Sequence, residues 1–374
     1  MKIAMVGTGY VGLVSGACFS EFGWDVVCVD LDADKIKMLE AGEIPIYEPR
    51  LDDLVARNVA GGRLSFTTDL AAAVKGSDAV FIAVGTPSRR GDGHADLSYV
   101  FQAAEDIARN ADGYTVVVTK STVPVGTGRE VLKRIRAAAP DADIDIASNP
   151  EFLREGSAIE DFMRPDRVVI GADTEHARET VASLYRPLFL RDTPIIQTSL
   201  ETAELIKYAA NTFLATKITF INEFADLCEK VGANVQDVAR GIGMDNRIGA
   251  KFLHAGPGYG GSCFPKDTKQ MVANFDNIPQ ALISAVVATN TARWDFLAGQ
   301  ILSGSPRSVG VYRLNMKTGS DNFRHSAVFG IVKRLIDAGI GVRFYEPTTE
   351  ELEIEGMIRS NDLAALKEQS DIIL

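Results

Sequence analysis

The sequence predicts an α/β protein: an N-terminal doubly wound sheet, a central helical domain with a long connecting helix, and a smaller C-terminal α/β domain of the same type. Short apolar runs alternate with amphipathic segments in the first part of the chain, which is typical of parallel strands joined by helices. From about Leu200 a long helical stretch follows, with no proline or glycine until Gly232. The alternating pattern returns after about Leu297.

Length and these changes of pattern predict three domains. A chain of 374 residues is longer than one ordinary domain core. We expect an N-terminal domain over residues 1–196, a helical domain over 197–297 that also serves dimerisation, and a C-terminal domain over 298–374. The last segment, DIIL, has the pattern of a strand, so we expect the third domain to be incomplete at its end.

Charge and composition exclude several kinds of partner. The formal net charge is −11, so no excess of positive charge is present to neutralise nucleic-acid phosphates or an anionic membrane. No apolar run reaches the roughly 20 residues of a membrane-spanning helix, and the first residues have the pattern of a strand and a glycine turn, unlike a signal peptide. Cys18, Cys28, Cys228 and Cys263 lack the spacing of a metal site or a disulfide framework. We expect a cytoplasmic protein without nucleic-acid, membrane or metal partners.

The first 30 residues predict a dinucleotide site. The segment KIAMVGTGYVG places Gly7, Gly9 and Gly12 between an apolar strand and a helix. Asp30 ends the next strand, 18 residues after Gly12. In this motif the glycines allow a tight turn and close approach of a pyrophosphate, and the acid binds ribose hydroxyls. The pattern predicts a Rossmann-type domain, and it favours NAD over NADP because Asp30 would repel a 2′-phosphate. An ordinary turn carboxylate is the alternative for Asp30.

Three further apolar runs end at polar segments that are candidates for the binding site. The runs lie at 79–84, 114–119 and 143–147, and they are followed by VGTP, KSTVP and SNPEFLREG. In a doubly wound sheet the ligands bind beyond the carboxyl ends of the strands. We therefore expect these three segments to face the ligands.

Two segments outside the predicted sheet combine a nucleophile, a cation, an amide and a carboxylate. Lys207 and Asn211 are four residues apart in the long helix and share one face. In GPGYGGSCFPKD, residues 256–267, four glycines precede Cys263 and Asp267 follows it. Glycines give a bulky ligand room beside the sulfur, and a nearby cation assists a thiolate or a developing oxyanion. A surface lysine and a structural cysteine are the alternatives.

Eight segments together resemble one enzyme family. They occur in the order GTGYVG, VGTP, KSTVPVGT, SNPEFLREG, ELIKYAANTFLA, MDNRIG, GYGGSCFPKDT and YRLNMKTGSDNFR, across nearly the whole chain. The chain thereby resembles the nucleotide-sugar 6-dehydrogenases, although YRLNMK departs from the aromatic-rich version of longer members. Within the family, MDNRIG and the FPKDT ending favour UDP-glucose as the substrate. GDP-mannose and UDP-N-acetylmannosamine are the alternatives.

The resemblance implies a four-electron oxidation of the sugar C6 hydroxyl to a carboxylate, with NAD as the hydride acceptor. The catalytic residues that it implies are Cys263, Lys207, Asn211, Asp267, Thr122 and Glu151. Cys263 would hold the sugar as a thiohemiacetal and then as a thioester. Lys207 and Asn211 would donate hydrogen bonds to the C6 oxygen.

The same resemblance implies three residues for the hydrolysis of the thioester. Asp267 and Thr122 would position water, and Glu151 would act as the general base. From the residues alone, two alternatives stay open. Thr122 is also explained as a strand-end hydroxyl before a proline, and Glu151 as an acid near a helix N-terminus.

The resemblance also implies binding residues and a homodimer. Those for the cofactor are Gly7, Gly9, Tyr10, Val11, Gly12, Asp30, Lys35, Gly85, Thr86, Pro87, Ser121, Thr122, Glu155, Lys266 and Arg324. Those for the substrate are Glu151, Phe152, Leu153, Arg154, Glu155, Lys207, Asn211, Arg247, Phe252, Leu253, Tyr259, Gly260 and Lys317. Lys317 would face the diphosphate, and Arg247 would reach the sugar across a dimer interface that includes the long helix.

Two other functions use the same fold. A two-electron dehydrogenase would leave Cys263 inert, and a NAD-binding regulatory protein would have lost catalysis. The complete set of implied catalytic residues favours the four-electron enzyme.

Overall fold

Apolar runs in the N-terminal part of the chain form a sheet with helices on both sides. The computed structural model describes residues 1–89, 91, 93–275, 277–314, 326–347 and 353–374. Within them, the first unit, Met1–Tyr208, contains eight strands. These are β1 (Lys2–Val6), β2 (Asp25–Val29), β3 (Leu64–Thr67), β4 (Ala79–Ile82), β5 (Thr115–Thr119), β6 (Ile144–Ser148), β7 (Val168–Ala172) and β8 (Ile195–Thr198).

The strand order is that of a doubly wound sheet. It runs β3-β2-β1-β4-β5-β6-β7-β8, and every neighbouring pair is parallel except β6 and β7. The order reverses between β1 and β4, and ligands of such sheets bind at this point of reversal. The predicted fold class is confirmed. The antiparallel β7 was not predicted, because an apolar run of five residues carries no information about strand direction.

Helices cover the two faces of this sheet. They are α1 (Tyr10–Glu21), α2 (Ala33–Glu40), α3 (Leu51–Ala60), α4 (Leu70–Val74), α5 (Ser98–Asn110), α6 (Thr127–Ala138), α7 (Ala158–Met163) and α8 (Glu175–Leu184), with a 3₁₀ helix at Arg186–Arg191. Alternate residues of β1 face opposite sides. Ile3 and Met5 join an apolar cluster with α1 and α3, whereas Ala4 and Val6 join one with α5 and α6.

The second unit, Ala209–Leu374, has its own helices and a smaller sheet. The long helix α9 (Leu200–Val231) has 32 residues, close to the roughly 30 residues that the lack of proline and glycine predicts. The following elements are α10 (Val235–Gly243), α11 (Phe264–Asn274), α12 (Ala281–Ser303), β9 (Ser308–Tyr312), α13 (Ala327–Asp337), β10 (Gly341–Tyr345), β11 (Met357–Arg359), α14 (Leu363–Glu368) and β12 (Ile372–Ile373).

The strands of the second unit lie in the parallel order β11-β10-β9-β12. Val309, Val311 and Phe344 are buried at its centre against α12 and α13. The predicted boundary at residue 297 lies inside α12, and the division into a second and a third domain stays a prediction. None of the helices in the described ranges combines the length and the hydropathy that crossing a membrane requires.

A buried carboxyl group joins α9 to the start of α6. Glu204 is 2% exposed and accepts hydrogen bonds from the N–H groups of Gly126 and Gly128, both at 2.7 Å. Burial raises the pKa of Glu204 to about 7, although the two N–H groups favour its ionised form. The folded chain therefore keeps this proton at pH values where the unfolded chain has lost it. The stabilisation by Glu204 falls as pH rises from about 4.5 to about 7.

Replacement of Glu204 by alanine should destabilise the protein. At pH 6 we expect a loss of about 2 kcal/mol, because two N–H groups lose their acceptor. Scanning calorimetry of Glu204→Ala measures the change. Glu201→Ala is the matched control, since Glu201 lies on the same helix in an exposed ion pair with Arg129 and should contribute less than about 1 kcal/mol. Equal losses in the two variants would contradict the assignment.

Candidate active site

The glycine turn after β1 leaves open space beside one of its three glycines. Gly7 has a φ of 101°, and a Cβ on it would lie 2.8 Å from the carbonyl oxygen of Ala83. A Cβ on Gly12 would lie 1.9 Å from the carbonyl oxygen of Gly7. A Cβ on Gly9 would meet nothing within 4 Å. Gly7 and Gly12 therefore permit close packing, and Gly9 leaves room for a pyrophosphate at the N-terminus of α1, where Tyr10 and Val11 begin the helix.

Asp30 lies just beyond β2 and is fixed by its neighbours. One carboxylate oxygen accepts hydrogen bonds from the N–H (2.9 Å) and the hydroxyl (2.6 Å) of Thr8, and it lies 3.2 Å from the Nζ of Lys35. Partial burial alone would raise the pKa of Asp30, but the hydrogen bonds from Thr8, Asp32 and Lys35 hold it below its ordinary value. An ionised carboxylate at this place suits the hydroxyls of a ribose. The sequence did not indicate Thr8.

The tips after β4 and β5 are tied together. The hydroxyl of Thr86 donates to the carbonyl oxygen of Thr122 at 2.9 Å, and that of Ser121 donates to the carbonyl oxygen of Val84 at 2.7 Å. Gly85 and Pro87 flank Thr86 on the first tip. These predicted cofactor residues thus share the edge of the sheet at which β1 ends.

A buried ion pair follows β6. The Nζ of Lys207 lies 3.0 Å from Oε1 of Glu151, and the two side chains are only 4% and 5% exposed. The N–H of Leu153 donates to Oε2 of the same carboxylate at 2.6 Å. Lys207 also lies 5.4 Å from the ring centre of Phe152. Lys207 is therefore not a surface lysine. Nor is Glu151 the capping residue of α7, which begins at Ala158 after the N-cap Ser157.

The charge of the Glu151 carboxylate depends on this pair. Burial alone would raise its pKa, but the charge of Lys207, the N–H of Leu153 and the more distant charge of Lys120 together hold the pKa of Glu151 below its ordinary value. An ionised carboxylate and an ammonium group therefore stand side by side without water between them.

Further predicted residues of this loop are engaged with other partners. The N–H of Arg154 donates to Asp161 at 2.8 Å, and its side chain forms an ion pair with the same carboxylate. The loop is held to the glycine turn by Glu48, which accepts the N–H groups of Gly156 and Ala158, both at 2.8 Å, and the hydroxyl of Tyr10. Glu155 lies within this loop, and its charge contributes to the raised pKa of Tyr10, behind burial and Glu48.

In the second unit, the carboxylate of Asp267 binds an amide and an ammonium group. It is 1% exposed, and its carboxylate accepts a hydrogen bond from the Nδ2 of Asn211 at 2.6 Å and from the Nζ of Lys266 at 2.7 Å. Cys263 is partly exposed and is the N-cap residue of α11. Negative charge is favoured at such a position because helix N–H groups point toward it. Cys263, partly exposed at a helix start, differs from the three buried cysteines, Cys18, Cys28 and Cys228.

Two side chains of α12 and one of α9 hold the glycine loop before Cys263. Asn290 accepts the N–H of Tyr259 at 2.8 Å and donates to its carbonyl oxygen at 3.1 Å. Asn222 accepts the N–H of Gly256 at 2.8 Å, and Arg293 donates to the carbonyl oxygen of Gly256 at 2.7 Å. Gly258 has a φ of 116°, and a Cβ on it would lie 2.6 Å from Asn290. The sequence did not indicate Asn222, Asn290 or Arg293.

The remaining predicted binding residues, for the substrate and, with Arg324, for the cofactor, fall into three groups. Leu253, Tyr259 and Gly260 are buried, and Phe252 has a positive φ of 65°. The side chain of Arg247 is 90% exposed and forms an ion pair with Asp245. Lys317 and Arg324 lie outside the described residues.

The fold and the glycine turn together define the class of protein, a dinucleotide-binding protein of the Rossmann type. Models of the UDP-glucose/GDP-mannose dehydrogenase family match three parts of the chain, its NAD binding domain at residues 1–189, its central domain at 201–292 and its UDP binding domain at 310–374. The chain belongs to this family, and the predictions of the family and of NAD as cofactor are confirmed.

Relatives that cover nearly the whole chain agree with this assignment. The chain is 57% identical to a UDP-glucose 6-dehydrogenase of Rhizobium meliloti, over 100% of this chain and 88% of the relative. It is 48% identical to the UDP-glucose 6-dehydrogenase TuaD of Bacillus subtilis, over 92% of this chain and 76% of the relative. The solved structure of a UDP-glucose dehydrogenase from Pyrobaculum islandicum superposes with a TM-score of 0.94 at 37% identity, covering 100% of this chain and 88% of that one.

Proposed function

We propose that the protein oxidises UDP-glucose to UDP-glucuronate through a sugar thioester on Cys263. The observation that carries the proposal is the buried ion pair of Glu151 and Lys207, a carboxylate and an ammonium group in contact beyond the end of β6. The match to a UDP binding domain and the similarity to enzymes that are named for UDP-glucose support the substrate.

The reaction consumes one water and releases two hydrides. NAD, when bound, would supply the hydride acceptor, and two NAD molecules in succession would each take one hydride. In the first, the C6 alcohol loses a hydride and a proton and becomes an aldehyde. The Cys263 thiolate adds to the aldehyde carbon, the resulting thiohemiacetal loses the second hydride and a proton, and a thioester remains. Water then breaks the C–S bond, which yields the carboxylate and restores the thiol.

The side chains of the site would supply the hydrogen-bond donors, the base and the binding groups for these steps. Lys207 and Asn211 donate hydrogen bonds to the C6 oxygen while negative charge develops there. Glu151 takes a proton from water in the hydrolysis, and Asp267 with Thr122 orients that water. Arg247, from the partner subunit, and Lys317 bind the sugar and the diphosphate. Because a catalytic thiol must stay reduced and the cysteines are free, we also propose a cytoplasmic location.

Replacement of Cys263 by alanine should abolish formation of the uronate and leave NAD binding intact. We expect turnover to fall by roughly 10³-fold or more, a rise of about 4 kcal/mol in the barrier. The measurement counts NADH formed per UDP-glucose consumed, with two expected for the native enzyme. Cys228→Ala is the matched control, because Cys228 is buried in α9 and should keep the ratio of two.

Two results would overturn parts of this account. A ratio of one NADH per sugar nucleotide would show a two-electron dehydrogenase with an inert Cys263. A higher kcat/KM with GDP-mannose or UDP-N-acetylmannosamine than with UDP-glucose would leave the chemistry in place and refute the substrate.

We propose further that the protein is a homodimer joined through α9. Apolar side chains at intervals of seven, four, three and four residues follow one face of this helix, and they remain 36% to 66% exposed: Phe213, Phe220, Phe224, Leu227 and Val231. The rings of Phe220 and Phe224 lie 4.6 Å apart. Such spacing matches the seam of paired helices, and exposed apolar stripes of this length mark interfaces. A second copy of the chain presents the same stripe and so can cover it.

A charge within this stripe should dissociate the dimer. We expect the native protein to have the mass of two chains in light scattering and Phe220→Glu to shift it toward one chain, because an unpaired carboxylate would be buried in the interface. Ile358→Glu, at another exposed apolar position, in β11, should leave the mass unchanged. A Phe220→Glu protein that keeps the mass of two chains would place the interface elsewhere.

A further inference from the structure

A lysine that the proposed reaction does not use is buried at the end of β5. Lys120 is 3% exposed, and its Nζ donates to Oδ1 of Asn149 at 2.9 Å and to the hydroxyl oxygen of Tyr185 at 3.0 Å. The rings of Phe162 and Tyr185 lie 5.6 and 5.7 Å from the nitrogen. Lysine is rarely buried to this extent, because an ammonium group loses its hydration. A lysine that is buried together with hydrogen-bond partners for its ammonium group therefore indicates a functional role.

The partners of Lys120 fix the segment that carries Glu151. Asn149 directly follows β6 and precedes Glu151 by two residues. Its Oδ1 accepts from both Lys120 and the Tyr185 hydroxyl, the latter at 2.5 Å. Its Nδ2 donates to the carbonyl oxygen of Val169 at 2.8 Å, and its N–H donates to that of Thr119 at 2.9 Å. With these hydrogen bonds made, Asn149 cannot turn without breaking several of them, and the start of the loop is immobilised.

The charge of Lys120 also acts on Glu151. The charged and titratable groups that face it are Glu151, Lys207, Cys18 and the hydroxyl of Tyr185. Burial, with the like charge of Lys207, lowers the pKa of Lys120 to about 7, although Glu151 favours the ammonium form. The charge of Lys120 in turn lowers the pKa of Glu151. Glu151 is thus stabilised as a carboxylate by two lysines: Lys207, which contacts it, and Lys120, which acts through its charge.

We propose that Lys120 is a positioning residue for Glu151: through Asn149 it fixes the strand end that carries this carboxylate, and its ammonium group favours the ionised carboxylate. The inference rests on the proposed role of Glu151 as the base. Lys120 itself contacts neither the sugar nor the water in this account.

The pH dependence of turnover tests the inference. In Lys120→Met, a side chain of similar length replaces the ammonium group. Removing positive charge raises the pKa of Glu151, so the acidic limb of the kcat profile should move to higher pH by roughly one unit. We expect kcat to fall about tenfold on the acidic limb, at pH below the native pKa of Glu151, and to change little near neutral pH, because Glu151 is ionised there in both proteins. The KM for NAD should stay within about twofold, and thioester should accumulate in samples quenched on the acidic limb. Tyr185→Phe keeps the ring and removes one partner of Nζ, so it should shift the limb less and in the same direction.

Glu151→Gln distinguishes a failure of the proposed base from a failure of the role proposed for Lys120. If Glu151→Gln turns over as the native enzyme does, the proposed base is wrong. If Glu151→Gln is inactive while Lys120→Met and Tyr185→Phe both keep the native pH profile, Glu151 stands and the role of Lys120 is refuted. Should Lys120→Met fail to fold, the Tyr185→Phe profile alone decides, because loss of one hydroxyl leaves the apolar packing of the ring in place.

Discussion

The buried ion pair of Glu151 and Lys207 is the constraint on which the account depends. Two opposite charges less than 6% exposed are stable only while both are present, since removal of one leaves the other without compensation. The sheet supplies the strand end for Glu151, and α9 supplies Lys207. The pair therefore requires that β6 and the first turns of α9 be rigid, and hydrogen bonds of Asn149 and Glu204 hold both.

Hydrogen bonds to backbone atoms position the rest of the candidate site. Asn290 binds both polar atoms of the Tyr259 backbone, and Glu48 binds two N–H groups of the loop after Glu151. In each case a buried side chain pairs with backbone groups of a loop outside the sheet. Loops that carry reactive groups are thus held in one conformation without being part of the sheet. This leaves their outer sides available for ligands.

Much of the fold follows from the sequence because periodicity and glycine placement are local properties. The strand, turn and helix around Gly7, Gly9 and Gly12 were predicted, and the proline-free stretch predicted α9 to within a residue. The direction of β7 was not predicted, because pairing depends on the whole sheet. Nor were Thr8 and Asn290 indicated, since a hydrogen bond between residues far apart in the chain leaves no local pattern.

The sequence predicted which residues belong to the candidate site, but not how their side chains contact one another. The motifs named Glu151 and Lys207 as separate groups with separate roles, whereas the structure joins them in one ion pair. Lys120 stands in the motif KSTVP beside the predicted Ser121 and Thr122, yet nothing local distinguishes a buried lysine from an exposed one. Burial is a property of the packed chain, so the charge state of a buried group emerges only with its partners.

The central claim is that Glu151 stays ionised inside the protein because of the lysines around it. A ¹³C NMR titration of carboxyl-labelled glutamate, with the Glu151→Gln spectrum subtracted, measures this directly. The account predicts that the Glu151 signal keeps its ionised shift from neutral pH down past the ordinary glutamate pKa of about 4.3, and that Lys207→Met moves its transition upward. A transition of the native enzyme well above that value would contradict the claim, because burial would then outweigh the ion pair.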